Sequence, residues 1–262
     1  MTEAPRPWRR RAVIAGSLLA VAGWVIGAPR LASLWPARLA YRDLPGLAPF
    51  RELETAGALS NSTGLLVGLD ESAPPDAAQD ARITAVLANP CTALFGRQTD
   101  SRLPIAFFSD FNCPNCRVLD AILLDYAVAN PGAFRIIRHE LPLLGAASTI
   151  ASQAVLAADR QGGYQAMHDR LVRTRLVTDL DFVLAIANSA GLDGKRLVAD
   201  MQSPEIASTL DVSKAIAAVF GFYGTPSTVI GRTVFMGAIP AADVAQIITA
   251  ELTALPLDCN KG

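Results

Sequence analysis

The sequence predicts an α/β fold in which a βαβ unit and a ββα unit are separated by a block of helices. Three observations support this prediction. A short apolar run, Ile105–Phe108, is followed by a helical pattern to about Ala129 and then by a β-rich run, Phe134–Glu140. Residues 146–220 carry helical patterns without strand signals. Two further β-rich runs and a final helical pattern follow, so strands flank the helical block on both sides.

The first unit consists of a buried strand, an amphipathic helix and a second strand. The apolar face of the helix is made by residues at i, i+3, i+4 and i+7, namely Leu119, Ile122, Leu123 and Tyr126. Asn130-Pro131-Gly132 ends the helix. A strand, a helix and a strand joined by a short return predict a right-handed parallel crossover.

The helical block, about 146–220, is divided by turn-forming residues into four or five helices. The breaks lie at Gly162-Gly163, Thr178, Gly191–Gly194 and Ser203-Pro204. Thr178 followed by Asp181 has the spacing of an N-cap with an acidic partner, which predicts that Thr178 begins one of these helices.

The last unit consists of two strands and a closing helix. The β-rich runs are Thr228–Ile230 and Thr233–Met236, and Gly231-Arg232 between them is typical of a hairpin turn. Ala241–Leu255 has a helical pattern. Gly224-Thr225-Pro226-Ser227 precedes the first of these strands, where a proline is unusual because it cannot donate a ladder hydrogen bond.

The first 30 residues have the pattern of an export segment. Arg9, Arg10 and Arg11 precede an uncharged stretch, Ala12–Pro29, of about the length of a signal core or a short membrane anchor. A cleaved signal peptide and an uncleaved anchor both remain open, and the arginine pairs leave a twin-arginine signal open. Each alternative places the folded part in the periplasm, free or anchored to the cytoplasmic membrane, where disulfides persist.

Residues 31–90 are interpreted as an N-terminal extension or linker that precedes a main domain at 91–262. Residues 31–49 have no firm periodicity, and 50–70 suggest a short helix, a turn and a strand at Leu65–Leu69. Ala77–Ala88 has a helical pattern that Pro90 ends. Cys91–Arg102 is predicted to be a polar loop that leads into the first buried strand.

Composition excludes several classes of protein. The chain of 262 residues is 51% hydrophobic and 18% charged, with a formal net charge of −1, so it lacks the basic balance of a nucleic-acid-binding protein. Four cysteines are too few for a scaffold held together by disulfides.

Cys113-Pro114-Asn115-Cys116 begins the amphipathic helix of the first unit and is the candidate for the chemistry. The free N–H groups and the partial positive charge of a helix N-terminus stabilise a thiolate at Cys113. Pro114 suits the first helical turn, where its missing N–H costs nothing. Cys116 lies one turn into the helix, so Cys113 is expected to be the exposed cysteine and Cys116 the more buried one.

Two other roles for this cysteine pair remain as alternatives. A tetrahedral zinc site needs four ligands, but the sequence has no second pair with ligand spacing, and His139 and His168 are isolated. A purely structural disulfide across so short a loop would remove little entropy from the unfolded chain. We therefore predict a redox-active disulfide with no metal and no bound organic cofactor.

The stretch FFSDFNCPNC, the helical block and Gly224-Thr225-Pro226 together resemble the DsbA-like branch of the thioredoxin superfamily, in particular its exported, Com1-like bacterial members. The resemblance spans about Leu103–Leu255. It implies a thioredoxin fold with an inserted helical subdomain and dithiol–disulfide exchange. It also implies a cis peptide bond before Pro226, a loop that faces the redox pair, and a contact between Thr225 and the partner.

The resemblance further implies which proteins would be partners. Cysteine-containing exported proteins would be substrates, and a second redox protein, which could lie in the membrane, would exchange electrons with this chain. Asn115 stands where DsbA itself has histidine, so the tuning dipeptide Pro114-Asn115 leaves oxidant, reductase and isomerase roles open. A homodimer through residues 31–90, and a non-catalytic metal-binding or adaptor protein on the same fold, also remain open.

Several further side chains have two interpretations each. Cys91 and Cys259 form either a second, structural disulfide or two free thiols. Asp110 either tunes the redox pair or is a solvated turn residue, and the second is favoured. Glu140 is either a proton acceptor for Cys116 or, as we favour, a surface carboxylate at a strand end. His139 and His168 are expected to be packed or surface residues.

Overall fold

The computed structural model describes residues 17, 23–24, 39–54, 57–60, 76–97, 100–254, 257 and 259. The chain divides into two compact units, residues 1–39 and 40–262, and the second contains the elements below. Only three residues of the predicted export segment are described, and the predicted strand at Leu65–Leu69 lies outside the described residues. Among the helices of the described part, none has the length and apolar character needed to cross a membrane.

The second unit contains strands and helices in mixed order. The described strands are β1 (Tyr41–Asp43), β2 (Arg51–Leu53), β3 (Leu103–Ser109), β4 (Phe134–Glu140), β5 (Ser227–Ile230) and β6 (Thr233–Met236). The described helices are α1 (Ala77–Ala88), α2 (Pro90–Phe95), α3 (Pro114–Ala129), α4 (Ala146–Asp159), α5 (Tyr164–Arg173), α6 (Leu180–Ser189), α7 (Gly194–Met201), α8 (Pro204–Phe220) and α9 (Ala241–Thr253). The predicted βαβ unit, helical block and ββα unit are all present.

The six described strands form one sheet in the order β1-β2-β6-β5-β3-β4. β3 pairs in parallel with β4 across the α3 crossover, as predicted, and antiparallel with β5. β5 and β6 form the predicted antiparallel hairpin. All seven residues of β3 are buried, which is typical of a central strand covered on both faces.

Buried apolar residues form two clusters on different parts of this framework. One cluster joins the sheet to α1, α2 and α8 and includes Phe50, Phe95, Phe108 and Phe220. The other fills the helical block around Ala154, Met167 and Leu197, and Phe111 from the turn after β3 packs into it. The turn that precedes Cys113 is therefore anchored in the helical block, which fixes its position relative to the sheet.

The segment that we treat as an N-terminal extension differs from its prediction. The short helix expected after Phe50 is wrong, because Arg51–Leu53 is strand β2, which pairs in parallel with β6 and antiparallel with β1. β1 itself lies in the segment predicted to be linker. Strands of three residues have too little periodicity to be recognised, and β2 takes part of its hydrogen bonds from β6, which lies far away in sequence.

The predicted polar loop at Cys91–Arg102 is also wrong in its first part. Pro90–Phe95 forms α2, and Pro90 begins this helix as well as following the end of α1. The side chain of Asn89 accepts a hydrogen bond from the Thr92 amide and caps the helix. Leu94 and Phe95 are buried in the sheet cluster, and this tertiary packing stabilises a helix too short to be stable alone.

The helical block contains five helices, α4–α8, within the predicted number. The predicted N-cap at Thr178 is wrong by one residue, because Asp179 accepts the hydrogen bond from the Phe182 amide at the start of α6. Both residues are good N-caps, and the spacing of Asp179 to the amide decides between them.

Candidate active site

Cys113 and Cys116 lie at the carboxyl end of β3, where the chain turns into α3. Cys113 is the N-cap of α3, and its Sγ accepts a hydrogen bond from the Cys116 amide at 3.0 Å. Pro114 occupies the first helical turn, as predicted. The two cysteines are joined by a disulfide, with Cα atoms 5.3 Å apart. The helix N-terminus therefore directs a backbone N–H at the sulfur of Cys113, which is the arrangement that stabilises a thiolate.

Asp110 holds the turn before Cys113 in place. It is buried, and its carboxylate accepts hydrogen bonds from the amides of Asn112, Leu143 and Leu144 at 2.8, 2.8 and 2.9 Å. The favoured interpretation of Asp110 as a solvated turn residue is therefore wrong. This side chain ties the turn after β3 to the segment after β4, and these three partly buried N–H groups would lose their acceptor without it.

Asn112 is a site residue that the sequence interpretation missed. Its side chain donates to the Val177 carbonyl oxygen at 3.2 Å and accepts from the Val177 amide at 2.7 Å. These paired bonds join the turn to the segment between α5 and α6, and so fix the helical block against the redox pair. An asparagine directly before a helix is common in turns, so the sequence carries no signal of this contact.

The loop that contains Thr225 and Pro226 faces the redox pair across the end of the sheet. The peptide bond between these residues is cis, which confirms the expectation that came from the resemblance. The carbonyl oxygen of Thr225 lies 3.5 Å from Cys113 Sγ, and Thr225 is fully buried. Two segments more than one hundred residues apart thus meet at the sulfur of Cys113.

The expectation that Cys113 is the exposed cysteine is wrong. Cys113 is 0% exposed and Cys116 3% exposed. Residues 57–60, from the predicted extension, pair with Thr225 and Ala238 beside the redox pair. The amide nitrogen of the Asn115 side chain donates to Ser60 Oγ at 3.2 Å. Residues 57–60 show no strand periodicity, so the sequence did not indicate this cover.

A cluster of buried polar side chains lies beneath the redox pair. Asp120, one turn after Cys116 on α3, forms a buried ion pair with Arg138 of β4. Asp120, His168 and Cys116 line one small cavity. Burial lowers the pKa of His168 to about 4 and favours its neutral form.

Glu140 belongs to this cluster and is 2% exposed, so the favoured interpretation as a surface carboxylate is wrong. Its Oε1 accepts a hydrogen bond from Tyr164 Oη at 2.7 Å. Burial raises the pKa of Glu140 to about 7, and this effect outweighs the Tyr164 hydrogen bond and the Arg138 charge, which lower it. Glu140 does not line the cavity that Cys116 lines.

The remaining predicted residues lie elsewhere in the fold. His139 stacks on Phe108 with ring centroids 4.4 Å apart and donates from Nε2 to the Leu94 carbonyl oxygen at 2.8 Å. Burial lowers its pKa to about 4. Cys91 and Cys259 are joined by a disulfide with Cα atoms 5.2 Å apart, within the apolar sheet cluster. In the described ranges, no three His, Cys, Asp or Glu side chains group as metal ligands would.

Comparison with known proteins places this geometry among thioredoxin-like folds. Residues 104–249 match the family described as DSBA-like thioredoxin domain. A thioredoxin-like oxidoreductase from Silicibacter pomeroyi is 31% identical, and the alignment covers 63% of this chain and 99% of that chain with a TM-score of 0.60. A periplasmic thioredoxin-like protein from Salmonella enterica serovar Typhimurium is 25% identical, and the alignment covers 62% of this chain and 95% of that chain with a TM-score of 0.52.

Two further matches differ in how much of the relative they cover. The catalytic domain of Proteus mirabilis ScsC is 25% identical, and the alignment covers 66% of this chain and 99% of that domain with a TM-score of 0.57. Among curated proteins, the Na(+)/H(+) antiporter NhaA of Herminiimonas arsenicoxydans is 24% identical over 151 residues, which are 58% of this chain and 24% of that protein. The chain thus spans about a quarter of the length of this curated relative.

Proposed function

The chain belongs to the family of DSBA-like thioredoxin domains, which are thiol–disulfide oxidoreductases, and we propose that it exchanges disulfides with cysteine-containing proteins through Cys113 and Cys116. The observation that carries the proposal is the position of Cys113. Cys113 is the N-cap of α3, and its sulfur accepts a hydrogen bond from the Cys116 amide. The same sulfur lies 3.5 Å from the Thr225 carbonyl oxygen. A stabilised thiolate and a backbone edge for a partner peptide thus lie side by side.

The exchange runs in two steps in the oxidising direction. A partner thiolate attacks Cys113 Sγ, the Cys113–Cys116 bond breaks, and Cys116 leaves as a thiolate that takes up a proton. A second partner thiolate then attacks the partner sulfur of this mixed disulfide, and Cys113 leaves as a thiolate. The partner is oxidised by two electrons to a disulfide, and the two cysteines are reduced. In the reducing direction Cys113 attacks a partner disulfide and Cys116 resolves the mixed disulfide.

The residues around the pair have distinct proposed roles. Pro114 and Asn115 tune the thiolate at Cys113, because they form the first turn of α3. Thr225 and Pro226 form the surface that contacts the partner. Cys116, which lines a small cavity with Asp120 and His168, is the proposed resolving cysteine.

We place this activity in the periplasm, with residues 1–30 as the export signal or anchor. The arginines before the apolar stretch support export. The periplasmic assignment of the similar Salmonella protein supports the same compartment. Partners would then be exported proteins with cysteines, together with a second redox protein that recharges the pair. β1 and β2 pair within this chain, with β1 at one end of the sheet, and the proposed exchange does not require the homodimer predicted through residues 31–90.

Cysteine variants test the proposed function. We expect Cys113→Ser to reduce the oxidation of a dithiol peptide to the uncatalysed rate, because the attacked sulfur is removed. Cys116→Ser, incubated with a disulfide-bonded peptide, should accumulate a mixed disulfide on Cys113, because Cys113 opens the peptide disulfide and no second cysteine resolves the product; mass spectrometry detects it. The control, Cys91→Ser with Cys259→Ser, should keep the rate within about twofold, since that pair lies in the apolar cluster. Equal loss of activity in the control and in Cys113→Ser would refute the assignment of the site.

A further inference from the structure

A short segment of the chain pairs with the loop that faces the redox pair, and we name these residues, Gly57–Ser60, the strap. The Ser60 amide donates to the Thr225 carbonyl oxygen at 2.7 Å, and the Thr225 amide donates to the Ser60 carbonyl oxygen at 2.9 Å. Ala58 and Ala238 exchange a second such pair, at 3.3 and 3.0 Å. The strap therefore runs as an antiparallel strand along the loop that faces Cys113.

The strap uses the backbone groups that an incoming peptide would need. Both hydrogen-bonding groups of the Thr225 backbone point to Ser60, and Thr225 is the residue whose carbonyl oxygen contacts Cys113 Sγ. An extended segment that brings a cysteine to Cys113 would pair with an exposed backbone edge at the same place. Cys113 is 0% exposed, so a partner segment reaches its sulfur only after neighbouring chain moves, and the strap occupies the backbone edge where that segment would pair.

The strap packs closely against its neighbours at two points, a side-chain hydrogen bond at Ser60 and a close backbone approach at Gly57. The Asn115 side chain, within the redox dipeptide, donates to Ser60 Oγ at 3.2 Å. A Cβ added to Gly57 would lie 2.5 Å from the Ala238 carbonyl oxygen, so the backbones approach to a distance that only glycine permits. Gly237 on the opposite side has φ +85°, which also favours glycine.

The strap is held by few contacts other than backbone hydrogen bonds. Ala58 is exposed, and Gly57, Leu59 and Ser60 are only partly buried, so the strap buries little apolar surface. A peptide that pairs with Thr225 and Ala238 would replace the same backbone hydrogen bonds one for one. Such an exchange has a small net free-energy change, and weakly packed segments are the ones that open locally.

We propose that the strap is an autoinhibitory segment that occupies the partner-binding edge at Thr225 and is displaced by an extended, cysteine-bearing segment of the partner. The inference rests on the proposed function and adds to it the kind of partner. Unfolded or flexible segments that can form an antiparallel strand displace the strap. Cysteines held in a helix or a folded core do not, because they cannot supply the replacing hydrogen bonds.

Proline substitution in the strap tests this proposal. Ser60→Pro removes the N–H that bonds to Thr225, whereas Ser60→Ala keeps the backbone bonds and removes only the contact with Asn115. Leu59→Pro is the matched proline control, because no described backbone hydrogen bond uses the Leu59 amide. We expect Ser60→Pro to raise the second-order rate constant for an extended cysteine peptide about 3- to 10-fold relative to Ser60→Ala, since the two variants differ by the one backbone hydrogen bond, and Leu59→Pro to change it less than about 3-fold relative to the wild type.

Hydrogen exchange of backbone amides keeps the strap test separate from the test of redox function. In oxidised wild-type protein, a peptide with serine in place of cysteine should remove protection from the Ser60 amide while the Thr225 amide stays protected by its new partner. An unchanged or lower rate for Ser60→Pro in folded protein, or an absence of any peptide effect on Ser60 exchange, would overturn the strap proposal. If instead the amide exchange of the strap changes as expected, but no dithiol peptide is oxidised and no disulfide peptide is reduced, the proposed function fails.

Discussion

The two disulfides of this protein differ in loop length and surroundings. Cys113 and Cys116 are separated by 3 positions and border a buried polar cluster, whereas Cys91 and Cys259 are separated by 168 positions and lie in an apolar cluster. Near the first pair are a helix N-terminus and the backbone edge at Thr225 that we propose binds the partner. Near the second are buried aromatic and aliphatic side chains. The contrast shows that loop length and environment, more than the bond itself, separate a redox disulfide from a structural one.

Chain entropy gives this comparison a magnitude. By reducing the entropy of the unfolded chain, a cross-link that closes the longer loop raises the free energy of the unfolded state by about 5 kcal/mol, whereas the short loop raises it by about 2 kcal/mol. The long-range disulfide also ties α2 to the C-terminal segment, where Thr92 Oγ1 donates to the Cys259 carbonyl oxygen at 3.2 Å. We therefore assign stability to Cys91–Cys259 and exchange chemistry to Cys113–Cys116.

The largest expected effect is on the free energy of unfolding. Replacing Cys91 and Cys259 together by serine should lower it by about 4 kcal/mol, measured by urea unfolding with Cys113–Cys116 kept oxidised. In this variant, reducing Cys113–Cys116 should then change the free energy of unfolding by about 2 kcal/mol or less. A loss below about 1 kcal/mol for the distant pair would contradict its structural role.

The next largest expected effect is on the pH dependence of the free energy of unfolding, and it comes from buried titratable side chains such as Glu140 near Cys113 and Cys116. The folded pKa of Glu140, about 7, is above its usual 4.5. Its contribution to stability is therefore complete below pH 4.5 and is lost as the pH rises through about 7. The shift corresponds to about 3 kcal/mol. His139 and His168, with pKa values lowered to about 4, act in the opposite sense and lose their contribution as the pH falls from 6.5 through 4.

Glu140→Gln isolates the carboxylate, because the histidine contributions cancel in a difference between the two proteins. The unfolding free energy of the variant minus that of the wild type should rise by about 3 kcal/mol between pH 4.5 and 8. Urea unfolding at several pH values measures it. The control is Glu54→Gln, which removes an exposed carboxylate; its unfolding free energy minus that of the wild type should change by less than about 1 kcal/mol over the same pH range. If the unfolding free energy of Glu140→Gln minus that of the wild type does not change with pH, the pH dependence that we assign to Glu140 is wrong.

The smallest expected effect is on the reduction potential. Asn115→His puts a titratable cation in the first turn of α3, next to the Cys113 thiolate, and should raise the potential by about 10–20 mV, since about 0.5–1 kcal/mol of thiolate stabilisation converts to that shift. The rise should be larger at pH 6 than at pH 8, because histidine is then protonated. Redox equilibrium with glutathione measures it.

Asn115→Ala is the control for this substitution. It also loses the hydrogen bond to Ser60 Oγ, but it adds no cation. A potential for Asn115→His at or below that of Asn115→Ala would show that charge at this position does not tune the pair.

Local sequence patterns determined the framework around the redox pair. The cysteine pair was placed at the start of a helix after a central strand by three local signals: the apolar run of β3, the i, i+3, i+4, i+7 spacing of apolar residues in α3, and the turn residues after α3. The structure has α3 at Pro114–Ala129. These features depend on neighbours within a few positions, so a single sequence carries them. The long-range cysteine pair and the role of Thr225-Pro226 were open or came from resemblance, because pairing between distant residues has no local signal.

Only the tertiary structure decided which groups surround the cysteines. β2 and the strap are too short to have a period, and both bond to residues more than one hundred positions away, β2 in addition to its pairing with β1. Asp110 and Glu140 have the sequence context of exposed turn and strand-end carboxylates, yet later segments of the chain cover them. The sequence alone thus identified the reactive pair from local geometry. The burial of Cys113 and the raised pKa of Glu140 depend on which elements of the fold pack together.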